Sequence, residues 1–423
     1  MLAEQLCYLR GGFDQILTNK VNLLPKSRMK RAVFLILVLI FTWPIIGCPT
    51  PGKARKKMPP LFRINFTMET GAEPSFMIAE DFNRDGELDL VVTNSGDNTL
   101  SYFKGRGDGT FKDQILMETG EDPICVVTAD FNNDEYPDLA VLNYRDQSIY
   151  VYLNLRFGKF RKAGGYLKPG KIPINMTTGD FNGDSIYDLA VTMRYHKVVI
   201  FLGKGKGRFQ KPVAMPVKGQ PTAIVVGDYD RDQFIDIAVA LAGSGNTGIQ
   251  ILWGKGDGTF EPSKSFKGGG QPLTLANIDA DSDGYDDLVT SSNVLHALTL
   301  IKNNGNKKFT ALKDFASGSF PKFIAVADFT GDGKPDLAVS NSTDDLVTVS
   351  LGRGDGTFTY PPIAHVVDEY PQGMVTGDFN HDGLIDMAVT SRDKQLVNIL
   401  MKRNIVDPKP DRSAQPPDKK QAK

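Results

Sequence analysis

Seven aspartate-rich loops carry the side chains in this sequence that are best suited to chemistry. The first loop, Asp81–Asp89, reads DFNRDGELD and has oxygen-bearing side chains at positions 1, 3, 5 and 9. A tight loop with this spacing turns its oxygens inward, and a backbone carbonyl at position 7 completes a cage for a hard cation of calcium's size. The chemistry predicted for these residues is therefore metal binding.

The same pattern recurs at one register in all seven loops. We expect up to seven calcium ions, held by Asp81, Asn83, Asp85 and Asp89; Asp130, Asn132, Asp134 and Asp138; Asp180, Asn182, Asp184 and Asp188; Asp228, Asp230, Asp232 and Asp236; Asp279, Asp281, Asp283 and Asp287; Asp328, Thr330, Asp332 and Asp336; and Asp378, Asn380, Asp382 and Asp386. These positions hold 23 carboxylates, nearly half of the 50 acidic residues. Such clusters repel one another unless a cation lies between them.

Solvated turns are the alternative explanation, because aspartate and asparagine also hydrogen-bond to their own backbone. Seven copies at one register favour calcium over that alternative, and the strict octahedron of magnesium fits less well. An EF-hand is excluded because position 12 is not glutamate. Position 6 lacks glycine in three loops, where Glu135, Ser185 and Gln233 require a strained backbone and predict weaker binding. Thr330 leaves the sixth loop one strong ligand short.

A repeat of about 50 residues positions these loops. Their first aspartates are 48 to 51 residues apart, and a proline precedes each aspartate by seven residues. Alternation and β-branched content predict four strands per repeat, as in Ile124–Ala129, Leu139–Leu142, Ser148–Leu153 and a strand from Phe160 onward. Four strands in ~50 residues is the size of one propeller blade.

Phenylalanines in glycine-rich turns indicate that the repeats close into a ring. Six of them lie 19 or 20 residues before the next loop aspartate: Phe111, Phe160, Phe209, Phe260, Phe309 and Phe358. Phe62 stands 19 residues before Asp81, whereas the last repeat ends after its third strand, Leu396–Met401. The predicted fold is therefore an all-β, seven-bladed propeller with four strands per blade. In it, the N-terminal segment Phe62–Met68 supplies the outer strand that the last blade lacks, which removes two exposed edges.

The sequence resembles the FG-GAP/VCBS repeat family, the seven-bladed propeller type also seen in integrin α-chain heads. The resemblance covers residues 61–402. It rests on the loop motif and on the turn motif GxGDGTF, found in Gly105–Phe111, Gly254–Phe260 and Gly352–Phe358. It implies calcium in the hairpin between the first and second strands of each blade, and it implies no single activity.

The N-terminal residues have the pattern of an export signal. Lys30 and Arg31 precede an apolar run shorter than the ~20 residues of a membrane-spanning helix. Ile45–Cys48 resembles the bacterial lipobox. We therefore expect a mis-assigned start at 1–28, a lipoprotein-type signal peptide at 29–47, a lipid anchor at Cys48, a flexible tether at 48–60 and a disordered tail at 403–423. The expected location is the cell envelope, membrane-anchored at the outer membrane, in the periplasm or at the surface, with secretion as the alternative.

A partner is expected on the rim of the propeller opposite the acidic loops. The second-to-third-strand loops and the segments before each proline lie there, and they differ between repeats. They carry aromatic and arginine side chains of the kind that interfaces use: Tyr144, Arg145, Arg194, Tyr195, His196, Tyr370 and Arg392. We expect a protein or a glycan to bind this rim, although each residue alone is also compatible with an ordinary solvated loop.

The sequence favours a monomeric, non-enzymatic, calcium-stabilised binding propeller. A calcium-dependent lectin is one alternative, since Tyr144, Tyr195, Tyr370 and Trp253 could stack on sugar rings, although Trp253 lies inside a predicted strand and fits packing better. A polysaccharide-cleaving enzyme is the other. Only four histidines are present, and no Ser/His/Asp or Cys/His set is visible.

Composition excludes two further classes. A net charge of −1 argues against a general nucleic-acid binder, and three cysteines cannot build a disulfide framework. Cys125 lies in an apolar stretch, which predicts a buried strand position.

Overall fold

A computed structural model describes residues 60–243, 247–262 and 265–403 of the chain. The predictions made for the residues before Pro60 and after Arg403, including the lipid anchor at Cys48, concern residues outside these ranges. Within them every regular element is a strand, and an apolar helix long enough to cross a membrane is absent from them.

The strands form seven antiparallel sheets. In chain order they are β1 (Phe62–Glu69), β2 (Pro74–Glu80), β3 (Asp89–Asn94), β4 (Thr99–Phe103), β5 (Ile115–Glu118), β6 (Pro123–Ala129), β7 (Asp138–Asn143), β8 (Ser148–Asn154), β9 (Phe160–Lys162), β10 (Pro173–Gly179), β11 (Asp188–Met193), β12 (Lys197–Phe201), β13 (Val213–Pro216), β14 (Gln220–Gly227), β15 (Asp236–Ala242), β16 (Gly248–Gly254), β17 (Phe260–Pro262), β18 (Pro272–Ile278), β19 (Asp287–Ser292), β20 (Ala297–Asn303), β21 (Phe309–Ala311), β22 (Phe315–Ala316), β23 (Pro321–Ala327), β24 (Asp336–Asn341), β25 (Leu346–Ser350), β26 (Ile363–Val366), β27 (Pro371–Gly377), β28 (Asp386–Ser391) and β29 (Leu396–Lys402).

Each sheet is one blade, numbered here in chain order. Blades 1 to 4 are β2–β5, β6–β9, β10–β13 and β14–β17; blade 5 is β18–β21 with the short β22 beside β20; blade 6 is β23–β26; and blade 7 has the order β1-β29-β28-β27. The first strands of neighbouring blades contact one another around the full circle, including β27 of blade 7 against β2 of blade 1. The seven-bladed, four-stranded propeller is confirmed.

The ring closes through the N-terminal strand, as predicted. β1 pairs antiparallel with β29, with Phe62 opposite Lys402 and Glu69 opposite Leu396. The N-terminal strand therefore occupies the position that an outer fourth strand takes in the other blades.

The second strand of each blade has the most buried environment. All six residues of β3, β7, β11, β19, β24 and β28 are buried. Their apolar side chains, such as Leu90 and Val92 in β3, are fully buried, and polar residues such as Asp89 are buried beside them. Cys125 in β6 and Trp253 in β16 are also buried, at 1% and 6% exposure, so the packing roles predicted for both are confirmed.

Aromatic pairs join successive blades. The side chain at position 2 of an acidic loop packs against the turn phenylalanine of the next blade, with ring centroids 5.5 to 6.1 Å apart in six of the seven junctions: Phe82–Phe160, Phe131–Phe209, Phe181–Phe260, Tyr229–Phe309, Phe329–Phe62 and Phe379–Phe111. In blade 7, Phe62 takes the place of the turn phenylalanine and packs against Phe329 of blade 6. Ala280 breaks the series, and there Phe358 stacks on Phe315 instead, at 5.1 Å.

Candidate functional site: the acidic loops and the opposite rim

The first aspartate of each acidic loop folds the loop around its own carboxylate. In blade 4, Asp228 accepts hydrogen bonds from the backbone N–H groups of Asp232 (3.0 Å) and Gln233 (2.9 Å), the residues at positions 5 and 6. The same pair of bonds occurs in the other six loops. The aspartate at position 5 then accepts from the N–H of position 7, as Asp232 does from Phe234 at 2.9 Å. This local bonding brings positions 1, 3 and 5 to one side of the loop.

Position 6 has a left-handed backbone in every loop, as its glycine preference predicts. The non-glycine residues Glu135, Ser185 and Gln233 have φ values of +71°, +64° and +74°. Each such residue costs about 1–2 kcal/mol relative to glycine. The strain predicted for the second, third and fourth loops is confirmed.

The aspartate at position 9 lies deeper than the other three positions. All seven are 0–1% exposed and start the second strand of their blade. Asp236, for example, accepts the N–H of Gly254 at 2.7 Å and the N–H of Tyr229 at 3.0 Å, so it ties the glycine-rich turn to the loop. Burial raises the pKa of Asp138 and Asp236 to about 7 and that of Asp188 to about 6, because desolvation penalises the charged form.

The fourth and fifth loops, in blades 4 and 5, gather three carboxylates each. Ligand oxygens of Asp228, Asp230 and Asp232 lie within 4.8 Å of one another, and so do those of Asp279, Asp281 and Asp283. Oδ1 of Asp230 and Oδ1 of Asp281 are buried and have no hydrogen-bond partner. A buried carboxylate oxygen without a partner is costly, and three converging carboxylates match the oxygen donors that calcium takes. The donor set therefore fits a hard divalent cation.

Two lysines partly balance the charge of these two loops. Lys307, from the turn of blade 5, places Nζ 2.7 Å from Oδ2 of Asp230 in blade 4. Lys302 in β20 contacts Asp281 and lies 3.4 Å from Asp283. The sequence motif did not indicate either lysine, because both lie outside the loops that they neutralise.

The other five loops have an amide or a hydroxyl at position 3, and this group bonds within the loop. Asn132 donates to Asp138 at 3.0 Å, Asn380 donates to Asp382 at 3.0 Å, and the hydroxyl of Thr330 donates to Asp328 at 3.2 Å. Loops with asparagine or threonine at position 3 thus satisfy part of their carboxylate charge internally. In the two loops with aspartate there, Lys302 or Lys307 balances part of the charge.

Side chains at position 4 link neighbouring acidic loops, which the sequence reasoning missed. The guanidinium of Arg84 lies 4.4 Å from the ring of Tyr136, at position 7 of the next loop. Arg231 stacks on Tyr285 in the same way at 3.8 Å. Across the closure of the ring, Nε2 of His381 lies 2.6 Å from Oε2 of Glu87. An aromatic or acidic residue at position 7, following a basic residue at position 4 one repeat earlier, is the signal that could have revealed these links.

The predicted binding rim is formed by loops of several blades. Tyr144 and Arg145 lie between β7 and β8, Arg194, Tyr195 and His196 between β11 and β12, and Tyr370 and Arg392 flank β27 and β28. Tyr195 is 59% exposed. Arg392 pairs with Glu73 of blade 1 at 2.8 Å and lies 5.6 Å from the ring of Tyr370.

Two of the three rim arginines act on one carboxyl group. Burial raises the pKa of Asp122, while the charges of Arg145 and Arg392 lower it and that of Glu73 raises it. The charges of Arg145 in blade 2 and Arg392 in blade 7 therefore both act on Asp122. The rim brings charged groups of blades 1, 2 and 7 together.

Comparison with solved structures places the fold among known propellers. The chain is similar to a structure titled BBS1N in complex with ARL6DN (TM-score 0.59, 16% identity, 82% of this chain and 98% of that one covered). It is also similar to a lectin from Agrocybe aegerita that recognises non-reducing terminal N-acetylglucosamine (TM-score 0.51, 18% identity, 75% and 86% covered). A third similar structure is a functionally unknown protein from Desulfotomaculum acetoxidans (TM-score 0.50, 12% identity, 73% and 94% covered).

No curated protein sequence matches the chain. The FG-GAP-like repeat family does, at residues 81–141, 130–191, 180–239, 233–290, 279–339 and 328–389. Five of these six matches begin at the first aspartate of an acidic loop and extend past the next loop, and together the six span all seven loops. The chain belongs to the FG-GAP-like repeat family.

Proposed function

We propose that this propeller is a non-enzymatic binding protein of the cell envelope, stabilised by calcium in its acidic loops. The calcium part rests on one observation above all, the buried Oδ1 of Asp230 that lies without a partner among three aspartates. Asp228, Asp230, Asp232 and Asp236 would hold the ion in blade 4, and the corresponding residues would do so in the other blades. Bound calcium supplies the positive charge that these clusters lack.

The residues of the chain explain why such an ion would stabilise the fold. Position 1 orders the loop backbone, and position 9 fastens the glycine-rich turn to it. Tyr229, at position 2 of the same loop, packs on Phe309 of the next blade. A ligand that favours the ordered loop therefore also favours the junction between blades, and its binding free energy adds to folding stability.

A partner is proposed at the rim that carries Arg145 and Arg392. In support, charged and aromatic groups from three blades converge there, and two similar propellers are a component of a protein complex and a lectin. A protein partner is the first choice. A glycan is the second, favoured by the exposed ring of Tyr195 and by the fold similarity to the lectin.

The environment of the histidines supports a role without catalysis. Nδ1 of His196 and Nδ1 of His296 contact backbone groups, His381 pairs with Glu87, and His365 packs edge-on against Phe62. Within the described ranges no histidine forms a hydrogen bond with a serine, threonine or cysteine side chain, as nucleophile activation requires. The envelope location and the lipid anchor at Cys48 are proposed from the sequence pattern alone.

The binding proposal is tested by capture from envelope extract in calcium, with three proteins as bait. These are the wild type, the rim variant Arg145→Glu/Arg392→Glu, and the control Lys112→Glu/Lys308→Glu, which makes the same charge change at exposed positions off the rim. We expect a partner that the wild type and the control retain and that the rim variant loses. Equal capture by all three would contradict a partner at this rim.

A further inference from the structure

Basic residues are concentrated in one part of a chain whose total net charge is −1. Residues 155–211, which span the end of blade 2 and most of blade 3, contain twelve lysines and arginines and three acidic residues. All three acidic residues are the aspartates of the third acidic loop. The remaining surface of this segment is therefore strongly positive.

A cleft between blades 2 and 3 collects four of these charges. Its volume is about 690 Å³, and Arg161 and Lys162 border it on one side and Lys206 and Arg208 on the other. All four side chains are exposed. A second depression, lined by Arg161, Lys206, Arg208 and Asp134 among others, continues the cleft towards the second acidic loop. The size is in the range of ligand-binding clefts, roughly 300–1,000 Å³.

Two of these charges, Lys206 and Arg208, depart from the turn sequence found in other blades. In blades 1, 4 and 6 the glycine-rich turn reads GxGDGTF, and its aspartate accepts hydrogen bonds from the backbone N–H and the hydroxyl of its threonine. Blade 3 has Lys206 and Arg208 at those two positions. Its turn closes with the same Gly203–Phe209 bridge that joins Gly105 to Phe111. The fold thus does not require the two positive charges.

Nearby carboxylates balance only part of the positive charge of the cleft. Among the described residues, none of its four basic side chains forms an ion pair. Lys162 lies 2.9 Å from the ring centroid of Tyr150, and Asp146 is the acidic residue whose charge reaches it. Asp134 faces the cleft from the adjoining acidic loop. The arrangement is suited to an external anion.

The floor and one wall of the cleft are apolar or aromatic. Leu153 and Phe209 belong to the lining, and the ring of Phe209 packs against that of Phe131 with centroids 5.8 Å apart. Tyr166 on the wall is 50% exposed and lies 5.9 Å from Tyr150. Flat, partly exposed rings beside cationic groups match a polymer whose units have both an apolar face and a negative charge.

We infer that this cleft binds a segment of an acidic polysaccharide, with its carboxylate or sulfate groups on Lys206, Arg208 and Arg161 and a sugar ring against Tyr166. The site lies on the outer edge of blades 2 and 3, apart from the rim proposed above for a partner, and does not depend on that proposal. Arginine and lysine here supply charge-assisted hydrogen bonds to anionic oxygens.

The test measures binding of uronic-acid oligosaccharides by titration calorimetry. The variant Lys206→Asp/Arg208→Thr restores the turn sequence of blades 1, 4 and 6, so it is expected to fold, and aspartate tolerates the left-handed φ of +58° at position 206. The control Arg106→Asp/Lys255→Thr makes the same charge change in two other turns. We expect salt-sensitive binding by the wild type, about tenfold weaker binding by the cleft variant and unchanged binding by the control.

Several results would overturn the inference. These are no binding by the wild type, equal binding by the cleft variant, or tighter binding of single-stranded DNA or of phosphatidylglycerol vesicles than of the oligosaccharide. If the turn variant does not fold, Arg161→Gln/Lys162→Gln tests the other side of the cleft, with the same expected loss. The rim variant Arg145→Glu/Arg392→Glu should bind the oligosaccharide like the wild type, which separates this site from the rim.

Discussion

At the level of single side chains, the acidic loops differ in how their negative charge is balanced. Asparagine or threonine at position 3 bonds within the loop, whereas Asp230 and Asp281 leave a buried oxygen unpaired and attract a lysine. A divalent cation bound at the fourth loop would compete with Lys307 for the carboxylate of Asp230. On the proposed metal site, the lysine would stabilise the metal-free loop and oppose metal binding.

Replacing Lys307 with methionine should therefore raise calcium affinity. The ion pair is half exposed on the lysine side, so its contribution is about 1 kcal/mol, which corresponds to about fivefold in affinity at this loop. In chelator the variant should have a lower melting temperature than the wild type. Adding calcium should raise the melting temperature of the variant by more than it raises that of the wild type. Lys308→Met, one residue away and without an ion pair in the described structure, is the control. An unchanged or smaller calcium response in Lys307→Met would refute the competition.

The buried carboxylates at position 9 make a pH prediction. Their pKa values are raised in the folded protein, to about 7 for Asp138 and Asp236 and about 6 for Asp188, Asp287, Asp336 and Asp386. The folded state then binds more protons than the unfolded state, so this stability is present at low pH and is lost as pH rises through 6 to 7. His365, whose pKa burial lowers to about 4, opposes the trend as a single group.

Chelated protein should accordingly melt at a higher temperature at pH 5 than at pH 8. In excess calcium the order should reverse, because calcium binds the ionised carboxylates. Calorimetry at the two pH values, with and without chelator, checks both signs. The same pH order in calcium and in chelator would show that the buried carboxylates and the metal are not coupled.

The grouping of oxygen-bearing side chains in each loop was predictable from the sequence because their spacing is local and recurs seven times. The burial of the aspartate at position 9 was not predictable. The motif alone does not show that Asp236 reaches the glycine-rich turn and accepts the N–H of Gly254. Lys302 and Lys307 were missed for a related reason: they meet their loops only after the hairpins pair and the blades pack.

At the level of strands and turns, the joints between blades are aromatic. Phe181 is 2% exposed and packs on Phe260 of the next blade, so Phe181→Ala should lower the free energy of unfolding by about 3–5 kcal/mol. Phe157, which is 67% exposed, provides the control, and Phe157→Ala should change stability by less than about 0.5 kcal/mol. Denaturant titration measures both. Equal effects would mean that the aromatic junction does not hold the blades.

The closing strand β1 makes a separate prediction. A chain beginning at Thr70 lacks β1 and exposes the outer edge of β29, so it should melt at a lower temperature and self-associate through that edge. A synthetic peptide of residues 61–70 should restore the melting temperature, while a scrambled peptide should not. A truncated protein that stays monomeric with an unchanged melting curve would contradict closure by β1.

The strand order was predictable because proline, aspartate and phenylalanine recur at fixed offsets, and the missing seventh turn phenylalanine was found at Phe62. The links between loops were not predictable in the same way. Arg84 to Tyr136 and Arg231 to Tyr285 occur in only some repeats, so no periodic signal marks them. The charged cleft of blade 3 also departs from the repeat, and an alignment of the six turns would have revealed Lys206 and Arg208.

At the level of the closed ring, every blade contributes one acidic loop, and each loop contacts its own glycine-rich turn or a neighbouring blade. Loop, turn and neighbouring blade are joined by position 9, position 2 and, in three places, position 4. A cation that orders one loop therefore strengthens the joint to the next blade. Calcium should act on the stability of the whole propeller rather than on single loops.

Thermal unfolding of the full chain in saturating calcium and in excess chelator tests most directly whether calcium stabilises the propeller. Each occupied site adds about 2.7 kcal/mol when free calcium is 100 times its dissociation constant, so several sites should raise the melting temperature by many degrees. Magnesium should give a smaller rise. Identical melting curves in calcium and in chelator would contradict the claim that the acidic loops bind calcium to hold the ring together.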